Sequence, residues 1–192
     1  MVDLCIYILA GGKSSRMGED KGLSQLLGKA LVAHLLETLA QLPHPKVIIS
    51  SNPLYRQFEI PIVADILPGQ GPLGGLLTAL DHTDKKKILV LSCDAPFIPL
   101  NAIEALMACG NTDQIIAGKI DEKLLPFPGI YPTRLLENVK TLVLKQKLKM
   151  HQFVIDNPHH LLDWKSLGIN NPLDFLNLNT KSDLGTALSL LS

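Results

Sequence analysis

The feature that most constrains the fold is an alternation of short apolar runs with longer segments of helical periodicity. The apolar runs begin with Leu4–Leu9, and the most hydrophobic of them is Ile88–Ser92. Short apolar runs bounded by turn residues are typical of strands buried on both faces. In the segment 30–42, by contrast, leucines recur every three or four residues, which predicts a helix with one apolar face. This alternation predicts an α/β fold with a doubly wound, mostly parallel sheet.

The same reasoning predicts the remaining elements. Strands are expected at 46–50, 60–64, 114–117, 127–131 and 152–155, and helices at about 71–83, at 101–108, at 134–147 and, capped by Thr180, at the C-terminus. We find no internal repeat and no low-complexity linker, so residues 1–192 are predicted to form a single domain. In such a fold, ligands bind at the carboxyl ends of the strands.

The charge balance excludes several classes of partner. The chain has 18 basic and 18 acidic residues, and aromatic residues make up only 5%. Without a net positive field or aromatic platforms, we expect no nucleic-acid partner and no binding to anionic membranes. No apolar run approaches the roughly 20 residues of a membrane span, and the first run lacks the basic segment of a signal peptide. The sequence therefore predicts a cytoplasmic protein that binds anionic ligands at a local site.

The cysteines predict neither a disulfide framework nor a metal site. Cys5, Cys93 and Cys109 are few and widely spaced, and no Cys-x-x-Cys pair occurs. We therefore expect free, buried thiols.

A glycine-rich and cationic loop follows the first predicted strand. Residues 9–21 read LAGGKSSRMGEDK. Its glycines let backbone amides approach an oxyanion closely, and Lys13, Arg16 and Lys21 add positive charge within the same loop. The composition predicts a triphosphate-binding loop, and the alternative is a glycine turn with solvated charges. The spacing matches neither GxxxxGK[ST] nor GxGxxG.

This loop carries a resemblance to a known family. The pattern GGxxxRMG at 11–18, followed by DK at 20–21, resembles the signature of sugar-phosphate and cofactor nucleotidyltransferases. The full form LAGGxSxRMGxDKGL is most similar to the molybdenum cofactor guanylyltransferase family. The similarity covers nearly the whole chain and implies a Rossmann-like, three-layer α/β/α nucleotidyltransferase fold. It continues with VADIL at 63–67, GPLGGL at 71–76, CDAPFIP at 93–99 and FLNLNTKSDL at 175–184.

The resemblance implies an enzyme that transfers GMP from GTP to the phosphate of molybdopterin or the molybdenum cofactor and releases pyrophosphate. It also implies Mg²⁺ as cofactor, and protein partners that insert molybdenum or mature molybdoenzymes. Related cytidylyltransferases more often carry AAG where residues 10–12 read AGG, which favours guanine. Two alternatives stay open. One is a nucleotidyltransferase that uses CTP or another acceptor such as a sugar phosphate, and the other is a nucleotide-binding protein without turnover.

The predicted catalytic residues are those that would neutralise charge. Transfer of a nucleotidyl group onto a phosphate brings two anions together, so cations and a metal must offset their repulsion. By the resemblance, Asp94 is the Mg²⁺ ligand, and Lys21 and Arg16 bind the triphosphate. The resemblance places further contacts to the nucleotide at Leu9, Ala10, Gly11 and Gly12.

Base and acceptor recognition are also implied by the resemblance. Asp65 matches the family's guanine-binding aspartate, since a carboxylate can accept hydrogen bonds from both N1–H and N2–H₂ of guanine. The asparagine that assists the base in relatives aligns with Ser50, and we expect Asn52 to take its place. For the acceptor, the resemblance implies Asn179 and Lys149, the latter in a segment where relatives often carry paired arginines.

Overall fold

The computed structural model describes residues 3–10 and 20–191, and its elements follow the predicted alternation of strands and helices. In chain order the strands are β1 (Leu4–Leu9), β2 (Gln25–Leu26), β3 (Lys29–Ala30), β4 (Lys46–Ile49), β5 (Ile62–Val63), β6 (Lys87–Ser92), β7 (Ile115–Ile120), β8 (Lys123–Pro132) and β9 (His159–Asp163). The helices are α1 (Leu31–Leu39), α2 (Gly71–His82), α3 (Leu100–Ala108), α4 (Leu136–Leu144), α5 (Met150–Ile155) and α6 (Lys181–Leu191).

Within the described residues, seven strands form the central sheet in the order β5-β4-β1-β6-β8-β7-β9. Strand β1 is parallel to both β4 and β6, and β5 and β9 also pair in parallel with their neighbours. The predicted doubly wound, mostly parallel sheet is therefore confirmed. Strand β8 is the exception and runs antiparallel to β6 and β7. Only residues 121–122 separate β7 from β8, and a parallel crossover needs a much longer connection.

The helices cover both faces of this sheet. Leu4, Ile6 and Ile8 of β1 belong to a core shared with α1 and α3, and the intervening residues of β1 pack in a second core with α2, α4 and α5. This division follows from the alternation of side chains along a strand. None of the helices within residues 3–10 and 20–191 is long and apolar enough to cross a membrane.

A third apolar cluster ties the C-terminal segment to the amino-terminal half of the chain. Its buried members come from the β2–β3 ribbon, the start of α1, the segment before α6, and α6 itself. They are Leu26, Leu31, Leu173, Leu178 and Ala187. Thr180 accepts a hydrogen bond from the Asp183 amide at 3.2 Å, and the Asp183 carboxylate accepts one from the Thr180 amide at 2.8 Å. The predicted cap of the last helix is therefore confirmed.

The strand predicted at 152–155 is wrong. This segment belongs to α5, whose buried residues Met150, Phe153 and Val154 recur at helical spacing. The strand that follows is β9, which pairs with β7 at the edge of the sheet. Its sequence, HHLLD, is only partly buried and carries no continuous apolar run, so its pattern gave little indication of a strand.

Gly118 marks a close approach between β7 and the aromatic residues beside it. The Trp164 side chain is completely buried and stacks on Phe175, with 5.1 Å between ring centroids. A Cβ atom added at Gly118 would overlap the Trp164 indole nitrogen. The absence of a side chain at this position therefore allows the tryptophan to lie against the strand.

We predict that Gly118→Ala destabilises the fold by about 1 to 3 kcal/mol, the usual cost of overpacking a core. Gly185→Ala is the matched control, because a Cβ there meets nothing within 4 Å and the residue lies inside α6. This control should raise stability by about 0.5 to 1 kcal/mol through helix propensity. Urea denaturation of both variants checks the prediction, and equal effects would contradict it.

Candidate active site

A cleft of about 550 Å³ opens at the carboxyl ends of β1 and β6. The chain passes from β1 to β4 on one side and later returns to place β6 on the other, so this is the switch point of the sheet, where α/β folds bind ligands. Leu9 and Ser92 are paired in register, and the Cys93 amide donates to the Leu9 carbonyl at 3.1 Å. The residues that follow the two strands therefore emerge side by side.

The cleft brings together only some of the residues predicted for the site. Leu9, Lys21, Asp65 and Asp94 line it. Ala10 is buried, and its amide donates to the Ile49 carbonyl at 3.0 Å. Asn52, Lys149 and Asn179 do not line the cleft. Gly11, Gly12 and Arg16 lie outside the described residues.

Asp94 is the second residue after β6 and is half-buried. Its carbonyl accepts a hydrogen bond from the Leu178 amide at 2.7 Å, which fixes the backbone of the turn. The described residues contain no cluster of three or more potential metal ligands among His, Cys, Asp and Glu. An aspartate at the mouth of the cleft suits Mg²⁺ that arrives with a triphosphate, because this ion usually takes one or two carboxylates plus substrate phosphates.

Lys21 begins a single 3-10 turn, Lys21–Leu23, and reaches the C-terminal segment. Its ammonium donates to the Asn179 side-chain oxygen at 2.6 Å. Asn179 is in turn held by its backbone, whose amide donates to Asp183 at 2.8 Å. The structure therefore places Asn179 in direct contact with Lys21, the residue predicted to bind the triphosphate.

Asp65 follows β5 and faces the cleft from the side of α2. Its Oδ1 atom accepts a hydrogen bond of 3.4 Å from the Thr78 hydroxyl. Partial burial raises the pKa of Asp65, and the bond from Thr78 opposes this rise. Among the described residues no group donates to Oδ2, so this oxygen is available to a ligand donor.

The Asn52 amide is engaged at both ends by the protein. Its oxygen accepts from the Leu54 amide at 3.0 Å and caps a 3-10 turn at Pro53–Phe58, and its nitrogen donates to Asp20 at 2.9 Å. These two bonds leave one N–H and one oxygen lone pair of the Asn52 amide for a ligand. The Asn52-Pro53 turn is visible in the sequence, but its link to Asp20 is not.

The far wall of the cleft contains two residues that sequence reasoning missed, Lys123 and Phe127, and one, His151, from the segment that the resemblance assigns to the acceptor. Lys123 and Phe127 of β8 line it, together with His151 of α5. His151 donates through Nε2 to the Leu124 carbonyl at 3.1 Å, which fixes its ring against β8. Lys149 is exposed just before α5, next to this wall. The sequence did not show that β8 runs antiparallel to β6, and this direction brings the first residues of β8 to the cleft.

Cys93 is a neutral, structural thiol. Its side chain is buried, and burial together with the nearby Asp94 and Asp20 carboxylates raises the pKa of the thiol far above its ordinary value. A thiol that stays protonated is a poor nucleophile. Burial therefore disfavours the thiolate that covalent catalysis would need, although the side chain lines the cleft.

We predict that the three free cysteines react with thiol reagents at very different rates. Cys5 and Cys93 are buried, whereas Cys109 is only partly buried. In native protein at pH 8, one equivalent of thiol should react quickly and peptide mapping should place it at Cys109. The other two should react only after addition of denaturant. Rapid labelling of Cys93 in native protein would contradict this.

The fold and the cleft are those of a nucleotidyltransferase: a doubly wound sheet with a lysine and two carboxylates at its switch point. Residues 6–160 match the family described as the MobA-like NTP transferase domain. The chain belongs to this family.

Individual relatives are similar over most of their length. The chain is 36% identical to the molybdenum cofactor guanylyltransferase of Haemophilus influenzae, over 81% of this chain and 84% of that protein. It is 30% identical to a probable molybdenum cofactor guanylyltransferase of Flavobacterium johnsoniae, over 85% of this chain and 86% of that protein. The solved structure of molybdopterin-guanine dinucleotide biosynthesis protein A from Archaeoglobus fulgidus has a TM-score of 0.82 at 22% identity and covers 97% of both chains. That last likeness concerns the fold, and it agrees with the Rossmann-like topology.

Proposed function

We propose that this protein transfers GMP from GTP to the phosphate of molybdopterin or the molybdenum cofactor, releasing pyrophosphate. The proposal takes its acceptor and nucleotide from the names of the relatives, which are guanylyltransferases of this cofactor. The observation that carries it is that Lys21, Asp65 and Asp94 line one cleft at the switch point. A base-binding carboxylate, a cation for phosphate and a metal-binding carboxylate are what a guanylyltransferase needs together.

The reaction needs no covalent intermediate with the protein. An oxygen of the acceptor phosphate forms a bond to the α-phosphorus of GTP, and the bond from that phosphorus to the bridging oxygen of the β-phosphate breaks. Lys21 offsets the negative charge of the triphosphate as pyrophosphate leaves. Asp94 would hold a divalent ion, for which we propose Mg²⁺, and this ion supplies further charge neutralisation when bound.

Asp65 is proposed to bind the base. Its Oδ2 atom, which accepts no hydrogen bond from residues 3–10 or 20–191, and its weakly held Oδ1 atom can accept from N1–H and N2–H₂ of guanine together. Asn52 is proposed to act near the base. The remaining nucleotide contacts are proposed from the resemblance, and they are Leu9, Ala10, Gly11, Gly12 and Arg16.

The acceptor side is proposed to include Asn179 and Lys149. Asn179 already contacts Lys21, and Lys149 lies next to a wall that adds Lys123 and His151. The ammonium groups of Lys123 and Lys149 suit an acceptor that carries a phosphate monoester.

We further propose that residues 1–192 act as one domain in the cytoplasm, where the protein works with molybdenum-insertion and molybdoenzyme-maturation proteins. The bond from the Leu178 amide to Asp94 supports the single domain, since it joins the C-terminal segment to the end of β6. The free cysteines agree with a reducing compartment.

The function is tested by measuring pyrophosphate release from each of the four nucleoside triphosphates with molybdopterin and Mg²⁺. We expect GTP to be the preferred substrate. Asp94→Asn should lower kcat by at least about 100-fold, because removing a group that stabilises transition-state charge typically has effects of this size. Equal or better use of CTP would overturn the guanine assignment, and tight GTP binding without any turnover would favour a nucleotide-binding protein.

The base-binding role predicts that Asp65→Asn raises KM for GTP by about tenfold, in line with the roughly 1 to 3 kcal/mol of a bidentate base contact. Burial raises the pKa of Asp65, so its charged form costs the folded state stability at neutral pH, and the neutral amide should keep or slightly raise the melting temperature. In the wild type, acidification towards this pKa should raise KM for GTP, whereas the variant should lack this response. A lower melting temperature with an unchanged KM would contradict the assignment.

A further inference from the structure

The carboxylate of Asp20 joins the predicted triphosphate-binding lysine to the end of β4. Its Oδ1 atom accepts hydrogen bonds from the Gly22 amide at 3.2 Å and from the Tyr55 hydroxyl. Its Oδ2 atom accepts from the Asn52 amide nitrogen at 2.9 Å. Three donors from two segments of the chain therefore meet one carboxylate beside Lys21.

Each of these donors is fixed by the surrounding structure. The Asn52 oxygen accepts from the Leu54 amide, so its nitrogen must point towards Asp20. The Tyr55 side chain is completely buried, and burial raises the pKa of its hydroxyl, which keeps its proton and donates it. Gly22 has no side chain at a point where a Cβ would overlap the Tyr55 hydroxyl and lie 3.1 Å from the Cys93 sulfur.

Only an acceptor without a donor of its own satisfies this arrangement. A carboxylate offers lone pairs to all three groups, whereas an asparagine of the same shape would turn an N–H₂ group towards at least one donor. A buried donor left without an acceptor costs free energy. The chain therefore requires aspartate at position 20 for reasons of hydrogen bonding rather than shape.

Asp20 acts on Lys21 through the backbone. Its side chain caps the 3-10 turn Lys21–Leu23, and the Leu23 amide donates to its carbonyl at 3.0 Å. The turn determines where the Lys21 side chain begins, and the ammonium then meets Asn179 at 2.6 Å. We propose that Asp20 is a positioning residue that anchors this turn to β4 and so aims Lys21 at the triphosphate.

The positioning role rests on the proposed function only in assigning Lys21 to a triphosphate. The competing possibility is that Asp20 ligates the metal directly. Asp20 does not line the cleft, and its two oxygens already accept three hydrogen bonds, so the geometry favours positioning over ligation.

A double-mutant cycle with Asp20→Asn and Lys21→Ala tests the proposal, read as kcat/KM for GTP and as the Kd of GTP in the presence of Mg²⁺. Asp20→Asn alone should lower kcat/KM by about 10- to 100-fold, the range expected for hydrogen bonds to a charged group. In the Lys21→Ala background the same change should have less than about a threefold effect, since there is no lysine left to aim. Additive losses would overturn the proposal, as would an unchanged kcat/KM in the single variant.

Tyr55→Phe provides the same test with one donor removed and the carboxylate kept, should Asp20→Asn fail to fold. We expect a loss of about 3- to 10-fold that also disappears in the Lys21→Ala background. Tyr7→Phe is the matched control, because Tyr7 is equally buried but its hydroxyl contacts His82 at 2.9 Å. It should leave kcat/KM within about twofold of the wild type, as expected for distant, independent sites.

Two further outcomes distinguish a positioning role from metal ligation and from a failure of the proposed function. If Asp20→Asn raises the Mg²⁺ concentration needed for half-maximal rate in the Lys21→Ala background, Asp20 is a metal ligand and the positioning role is wrong. If the wild type shows no turnover with any nucleotide and molybdopterin, the proposed function fails. The cycle can then still be read in nucleotide affinity, where non-additive losses would support the positioning role and additive losses would refute it.

Discussion

The parallel pairing of β1 with β6 is the constraint on which the rest of the structure depends. Six consecutive residue pairs, from Leu4 with Lys87 to Leu9 with Ser92, fix the register of the two strands. Both strands are almost completely buried, so a slip of one residue would move their side chains to the wrong faces of the sheet. Because the register is fixed, the residue after β1 and the metal-binding candidate after β6 always emerge together.

The C-terminal segment completes what this pairing begins. The Leu178 amide holds the backbone of Asp94, and the side chain of the next residue, Asn179, meets Lys21. The apolar cluster that includes Leu178 and Ala187 anchors the segment. Substitutions that unfold the last helix should therefore also disturb the positions of Asp94 and Lys21, although the helix itself lies outside the cleft.

The sequence allowed the strands at the centre of the sheet to be predicted because they carry the strongest signal. β1 and β6 are continuous apolar runs, and α1 shows clear helical spacing. The sequence predicts a strand at 152–155 because QFVI is rich in residues that favour strands. In the structure this segment is helical, and Met150 and Phe153 are buried one turn apart. Periodicity over so few residues cannot distinguish a strand from a helix in the sequence.

The candidate site was predictable where a residue follows a strand, and less so where tertiary contacts decide. Asp65 and Asp94 come after predicted strands, and both line the cleft. The contacts of Asn52 and Tyr55 with Asp20 join residues more than 30 positions apart, and no local pattern reveals such pairs.

The antiparallel direction of β8 has a further consequence for the cleft. In a purely parallel sheet, all strands present their carboxyl ends to the binding site. Here β8 contributes residues from its amino-terminal end to the same cleft, so the wall that holds Lys123 and Phe127 and the wall that holds Leu9 and Asp94 come from strands of opposite direction.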